Sequence, residues 1–266
     1  HLLYSWKQAP CLHPRLCAVC CLAQGVPPQW WRALGLMERY VRHLDALICP
    51  SKFCRDLYQK RLPGLPVVHI PIFSSQERGD PACDPGWKPP APYFLFVGRL
   101  EKIKGLQSLI PVFRRHRGAP LLVAGSGSHE AKLKSLAQGC EAIQFLGRQS
   151  GPRLRALYRH AVALIVPSLC FEIFGTVIIE AFSEGTPVIV QDQGGMPELV
   201  RESGGGYVYG SDEELVAAMD SLLHDEEHRR SLGYAALNSY REKWTAEKHL
   251  DAYLALIEEL TVRKNN

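Results

Sequence analysis

Glu172 and Glu180 stand in the stretch Phe171-Glu172-Ile173-Phe174-Gly175-Thr176-Val177-Ile178-Ile179-Glu180-Ala181. An apolar run, Val162–Val166, precedes them and is closed by Pro167 and Ser168. This pattern predicts a buried strand, a turn, and a helix starting near Gly175. Glu180 falls among Val177, Ile178, Ile179, Ala181 and Phe182, where a carboxylate is costly unless hydrogen bonds are donated to it. Taken alone, it reads as a capped or salt-bridged core glutamate. Its surroundings point to chemistry instead. Gly175, Thr176 and Val177 would offer free backbone N–H groups at a helix start, which suits a diphosphate. Glu172 would stand near whatever the phosphate carries, and Glu180 could accept hydrogen bonds from vicinal hydroxyls.

Two more loops carry suitable groups. In Val97-Gly98-Arg99-Leu100-Glu101-Lys102-Ile103-Lys104-Gly105, Gly98 admits close backbone approach, while Arg99 and Lys104 place two cations beside a strand end. Arginine grips phosphate bidentately and lysine adds a compact point charge. The loop Ala124-Gly125-Ser126-Gly127-Ser128 suggests a dinucleotide fingerprint, but Glu130 stands where the third glycine belongs and would oppose a pyrophosphate. Cations and a helix dipole for phosphate, with carboxylates for hydroxyls, describe a nucleotide-sugar site.

The elements that must position these groups follow from hydrophobic periodicity. Strands are expected at 93–97, 120–124, 142–146, 162–166, 187–190 and 206–209, alternating with helices near 105–116, 129–138, 152–160, 176–184 and 197–202. Such alternation implies an α/β fold with a parallel sheet covered on both faces, ligands collecting at the carboxyl ends of the strands. Helices over 212–224, 226–243 and 246–259 close the chain, the middle one expected to break near Gly233. Residues 73–92, rich in proline, read as a linker. Before it, strands at 47–49 and 67–70 flank a helix over 52–60, like the tail of a second parallel-sheet domain. Trp30, Leu34, Met37, Val41 and Leu44 fall on one face of an expected helix. That face packs into a core by default, and also suits a membrane surface.

Composition is that of a globular chain. The net charge of +4 is too small to argue for nucleic acid, though it suits anionic small ligands or a peripheral touch on an anionic membrane. No apolar run approaches a membrane span, and no signal-peptide pattern opens the chain, whose first residue is His1. The odd cysteine set favours a reducing, cytoplasmic compartment, with Cys49, Cys140 and Cys170 as buried thiols. Cys17 and Cys20 have zinc-compatible C-x-x-C spacing beside Cys11, Cys21 and His13, but no second pair completes a site, so no metal is expected. No Asp-x-Asp pair occurs either, so a diphosphate-bound divalent metal is not indicated.

Gly98-Arg99-Leu100 with Lys104-Gly105, Ala124-Gly125-Ser126-Gly127, the Glu172–Glu180 pair, Gly194-Gly195-Met196-Pro197-Glu198 and Trp244 together resemble the donor domain of group 1 (family 4) retaining glycosyltransferases, over roughly Tyr93–Tyr253. Leu47–Phe53, with Pro50-Ser51, is similar to the end of that family's acceptor domain. The resemblance implies a GT-B architecture: a remnant of the acceptor-side domain at 1–72, the linker, a complete Rossmann-like donor domain at 93–244, and a helix at 245–266 returning toward the first domain. Most of the acceptor domain is missing from the pattern, and Pro71-Ile72-Phe73 replaces the usual Pro-Asn-Gly.

By this resemblance, sugar passes from a nucleoside-diphosphate sugar, the co-substrate, to a hydroxyl of a glycan, lipid-linked or small-molecule acceptor with retained configuration. No separate cofactor is implied. Arg99 and Lys104 would hold the diphosphate, Gly98, Gly125 and Gly127 would line the donor site, and Arg148 would lie near the base. Glu172 would meet the sugar, Phe174 would belong to the donor site, Gly175–Val177 would hold the phosphate oxygens, and Glu180 the ribose. Glu172 invites comparison with a glycosidase nucleophile, but the resemblance implies same-face attack with Glu172 orienting the sugar. Three other readings follow from the residues: a donor-binding module that needs another domain, a nicotinamide-dependent oxidoreductase built on Gly125–Gly127, and a metal-organised interaction protein built on Cys11–Cys21.

Overall fold

The computed structural model describes residues 17–23, 25, 27–28, 30–74, 92–116 and 118–265. The chain divides into two compact units: the described residues up to Pro71 with those from Asp251 onward, and Ile72–Leu250.

The larger unit is built on six parallel strands, β3 (Phe94–Val97), β4 (Leu121–Ala124), β5 (Ile143–Gly147), β6 (Ala163–Val166), β7 (Val188–Gln191) and β8 (Gly206–Tyr209). Each is a short apolar run, as both-face burial requires. Their order across the sheet is β5-β4-β3-β6-β7-β8. The chain therefore builds outward from β3 in one direction, returns, and builds outward from β6 in the other. This is the doubly wound arrangement, and its switch point lies between β3 and β6. Helices α5 (Leu106–Arg115), α6 (Glu130–Leu136), α7 (Gly151–His160), α8 (Thr176–Ser183) and α9 (Met196–Ser203) connect the strands, followed by α10 (Asp212–His224) and α11 (Glu226–Lys243).

Alternation along β3 divides the core. Phe94 and Phe96 pack on one face with Leu109, Phe113 and Met219. Tyr93 and Leu95 pack on the other with Leu157, Tyr158, Ile178, Phe182 and Trp244. Helix α11 is continuous for 18 residues, so the break expected at Gly233 does not occur. Gly233 is there because α11 lies against the end of α8: a Cβ would stand only 2.3 Å from the Gly185 carbonyl oxygen.

In the smaller unit, β1 (Leu47–Cys49) and β2 (Val67–His69) form a parallel pair joined through α4 (Lys52–Arg61). Ser51 caps α4, accepting from the Cys54 N–H at 3.1 Å. The single helix expected through Trp30–Leu44 is instead three pieces: Trp30–Ala33, Leu36–Tyr40 and a 3-10 turn at Val41–His43. Gly35, at φ 64°, takes a left-handed turn that the apolar spacing does not reveal. The expected core face is also absent, since Trp30, Leu34 and Leu44 are 60%, 71% and 50% exposed. The final helix runs to Asn265, beyond the expected 259. Among the described residues no helix is long and apolar enough to cross a membrane.

Most of the linker 73–92, and Cys11 with His13, lie outside the described residues, as does the Cys17 side chain. No group of three or more potential metal ligands occurs among the described residues. Cys49 and Cys170 are buried free thiols, whereas Cys140, expected to be buried, is partly exposed in the turn between α6 and β5. Burial raises the Cys49 thiol to about 12.

Candidate active site

At the switch point, the loops leaving β3 and β6 enclose a cavity of about 240 Å³. Gly98, Arg99 and Lys104 line one side; Ser168, Glu172, Phe174 and Gly175–Val177 line the other, with Met196 at the base. The two loops are tied together by backbone, the Leu169 N–H donating to the Ile103 carbonyl at 2.9 Å. That tether fixes the 3-10 turn Lys102–Lys104 and so aims Lys104 across the gap.

Lys104 Nζ donates to Glu172 Oε1 at 2.5 Å, and Ser168 Oγ donates to the same oxygen at 2.8 Å. Ser168 is fully buried, whereas the side chains of Lys104 and Glu172 keep 26% and 20% exposure, so both charged groups remain within reach of a ligand. The pair joins loops 68 residues apart in sequence. Glu172 is held at its backbone too: the Gly195 N–H donates to its carbonyl at 2.7 Å. Gly194, at φ 70°, permits this, because a Cβ there would stand 2.6 Å from the same carbonyl oxygen. Cys170 Sγ lies 3.5 Å from Glu172 Oε1, and burial raises the Cys170 thiol above its ordinary value.

Helix α8 begins at this cavity. Gly175 is its N-cap and offers no side-chain cap. Ile178 and Ile179 are the first residues to bond back to the Gly175 carbonyl, at 2.9 and 3.4 Å. The N–H groups of Thr176 and Val177 precede the first intrahelical bond, so the positive end of the helix dipole lies at the cavity that these two residues line.

A second cavity of about 500 Å³ continues from the first. It shares Val97, Gly98 and Arg99, and extends to Gly125, Ser126, Arg148 and Gln149. The glycines of the 125–127 loop serve packing between loops. A Cβ on Gly125 would fall 1.9 Å from the Gly98 carbonyl oxygen, and one on Gly127 would fall 2.5 Å from that of Leu100. Arg99 spans both cavities with a side chain 70% exposed and bonded to Glu101 at 2.7 Å.

Of the expected site residues, only Gly127 and Glu180 line neither cavity. Glu180 stays close nonetheless. It lies at i+4 from Thr176 and i+3 from Val177, on the α8 face that lines the first cavity. Its Oε2 accepts from the Tyr158 hydroxyl at 2.8 Å. Burial raises the Glu180 carboxyl above its ordinary value, and the Tyr158 bond pulls it back. Sequence reasoning did not assign Ser168, Gln149 or Tyr158. The costliness of a lone carboxylate at Glu180 was the signal that a donor such as Tyr158 must exist.

A larger cavity of about 780 Å³ is lined by α5 and α10 and shares no residue with the switch-point crevice. Four of its lining groups pair with one another, His116 with Asp220 at 2.8 Å and Arg115 with Asp212 at 3.4 Å. The smaller crevice brings together most of the expected site residues.

The sequence profile of the family described as Glycosyl transferases group 1 matches residues 84–239, more than half of the chain. The chain belongs to this family. An uncharacterized glycosyltransferase of Methanocaldococcus jannaschii is 35% identical to this chain over 159 residues, covering 57% of the chain and 40% of the relative. A D-inositol 3-phosphate glycosyltransferase of Nocardia farcinica is 32% identical over 211 residues, covering 72% and 47%. The chain thus spans less than half the length of these curated relatives. Among solved structures, the sucrose-phosphate synthase of Thermosynechococcus elongatus superimposes with a TM-score of 0.72 at 22% identity, over 89% of this chain and 63% of that one. The Anabaena protein HepE, solved in complex with UDP, gives 0.71 at 16% identity, over 92% and 76%. At these identities the likeness establishes the fold, which is of the GT-B type.

Proposed function

We propose that this group 1 glycosyl transferase takes a nucleoside-diphosphate sugar as donor and transfers the sugar to an acceptor hydroxyl with retention of configuration. The observation that carries the reading is the convergence, in one crevice at the switch point, of Lys104, Arg99 and the uncapped start of α8 with the carboxylate of Glu172. Three positive features facing one cavity suit a diphosphate leaving group. In the reaction, the bond from the anomeric carbon to the diphosphate breaks toward an oxocarbenium-like sugar. Lys104, Arg99 and the α8 N–H groups take up charge developing on the departing oxygen, preorganised electrostatics typically worth about 3–4 kcal/mol per key donor.

Glu172 orients the sugar in this reading and does not attack it. Its Oε1 is already shared by Lys104 and Ser168, an environment that lowers nucleophilicity and fixes direction. The acceptor then attacks from the face the diphosphate leaves, and a diphosphate oxygen receives the acceptor proton. Side-chain and helix positive charge substitutes for a divalent metal. The base sits in the second cavity near Arg148. The solved complex of HepE with UDP and glucose supports a UDP-sugar class of donor. Cys49, Cys140 and Cys170, each a free thiol, support a reducing, cytoplasmic compartment. Glycan, lipid-linked and small-molecule hydroxyls all suit the acceptor role, and the exposed Trp30, Leu34 and Leu44 favour contact with a membrane surface.

Calorimetric titration with UDP, GDP and ADP, with and without EDTA, tests the donor class: one of the three binds at micromolar concentration and EDTA leaves that affinity unchanged. The anomeric coupling constant of the transferred sugar, followed by NMR from the start of the reaction, tests retention. An inverted first product would overturn it. The less-than-half coverage of the relatives favours a second reading, a donor-binding module that depends on another domain. Nucleotide binding without any transfer would identify that case.

A further inference from the structure

Resting on the nucleotide reading above, we infer that Tyr158 is a positioning residue for the donor ribose: its hydroxyl occupies one oxygen of Glu180 and turns the other toward the crevice as a dedicated acceptor for the sugar's vicinal hydroxyls. The Tyr158 side chain is wholly buried, and its hydroxyl donates to Glu180 Oε2 at 2.8 Å. Glu180 Oε1 has no protein partner among the described residues, yet it is not sealed off, since the residue is only half-buried. A Cβ on a helix leans toward the helix N-terminus. Glu180 follows Thr176 by four residues and Val177 by three, so its side chain shares the face of α8 on which those two line the first cavity.

Tyr158 can act this way because the end of α7 is clamped from three directions. The Tyr93 hydroxyl donates to the Leu157 carbonyl at 2.7 Å, and Thr186 Oγ1 donates to the Tyr158 carbonyl at 2.7 Å. Arg159 donates through Nε and Nη2 to Glu184 Oε2, at 3.0 and 2.8 Å, and the Glu184 side chain is only 2% exposed. Two of these anchors, Glu184 and Thr186, belong to the segment that ends α8. The phenol and the carboxylate thus ride on helices locked to each other, and the geometry of the pair is preset before any ligand arrives. Burial alone would draw a proton onto Glu180, and a protonated carboxyl would present a donor where a hydroxyl needs an acceptor. The phenol opposes this and remains a donor itself, because its own burial holds its proton firmly.

The test compares ribose with its dideoxy counterpart. UDP, GDP and ADP, the matching 2′,3′-dideoxynucleoside diphosphates, and pyrophosphate are titrated into the wild-type chain, Tyr158→Phe, Glu180→Gln and the double variant, with thermal melting as a check on folding. In the wild-type, the nucleotide that binds exceeds its dideoxy form by about tenfold or more. Tyr158→Phe removes most of that preference while leaving pyrophosphate affinity and the dideoxy affinity unchanged. Adding Tyr158→Phe to Glu180→Gln changes nothing further. A full ribose preference in a folded Tyr158→Phe chain overturns the inference and leaves the nucleotide reading standing. Equal losses for all three ligands make Tyr158 merely structural and overturn it as well. If none of the three diphosphates binds the wild-type, the nucleotide reading fails and this inference falls with it.

Discussion

The two glutamates flanking the start of α8 lie eight residues apart and are partnered in opposite ways. Glu172, on an irregular loop, faces a cation across the crevice and shares its oxygen with Lys104 and Ser168. Glu180, one helical turn inside α8, has a neutral phenol for its partner and a carboxyl raised by burial. The difference separates their roles. In the proposed reaction, a carboxylate paired with the lysine that would grip the diphosphate would be coupled to the reacting bond. A carboxylate steadied by a buried phenol is insulated from it and suits recognition of a group that does not react.

Substitutions can break this contrast, and the largest effect is expected at the coupled site. Glu172→Gln should lower sugar transfer by about 100- to 1,000-fold, the scale of losing a key electrostatic group at a reacting centre, with nucleoside-diphosphate affinity nearly unchanged. Steady-state rates beside calorimetric affinities would check it, and a matching loss in binding would merge the two glutamates into one role. Arg99→Ala should weaken nucleoside-diphosphate binding by about tenfold, less than loss of Lys104, because Arg99 is 70% exposed and already bonded to Glu101. Ser168→Ala should reduce transfer by several-fold, since one of the two donors holding Glu172 Oε1 is lost while Lys104 remains.

The smallest effect sharpens the contrast from the side of Glu180. Its native carboxyl is raised, so the folded state binds the proton more tightly than the unfolded chain does. The stabilising contribution of that protonation is complete below the ordinary glutamate range and is lost as pH rises through the elevated native value. At neutral pH, Glu180→Gln should therefore raise the melting temperature by about 1–3 °C. The gain should vanish as pH falls toward the ordinary glutamate range. Ribonucleotide affinity of the wild-type should fall over the same acidic interval, as Glu180 ceases to be an acceptor.

Local chemistry explains how much of this was readable in the sequence. Strands such as Phe94–Val97 and Ala163–Val166 are short apolar runs followed by glycine or proline, so their positions follow from pattern alone. The strand order does not, because nothing in a strand names its neighbour; the family resemblance supplied a Rossmann-like domain, and the order itself came from the structure. Single glycines misled in both directions. Gly35 breaks a convincing apolar stripe by turning left-handed, while Gly233 interrupts nothing and instead admits the Gly185 carbonyl. The candidate site was legible as a set of groups but not as a set of partners. Lys104 meets Glu172 across 68 residues and Tyr158 meets Glu180 across 22, distances over which only the sheet topology creates contact.

The most direct test of the central claim, that this crevice grips a diphosphate through Lys104 and the start of α8, compares each nucleoside diphosphate with its monophosphate by calorimetry in the wild-type and Lys104→Ala chains. One diphosphate should bind the wild-type at least about tenfold more tightly than its monophosphate, and Lys104→Ala should erase that margin in a chain that still melts cooperatively. Equal affinity for the two nucleotides, or a margin that survives loss of Lys104, would contradict the account.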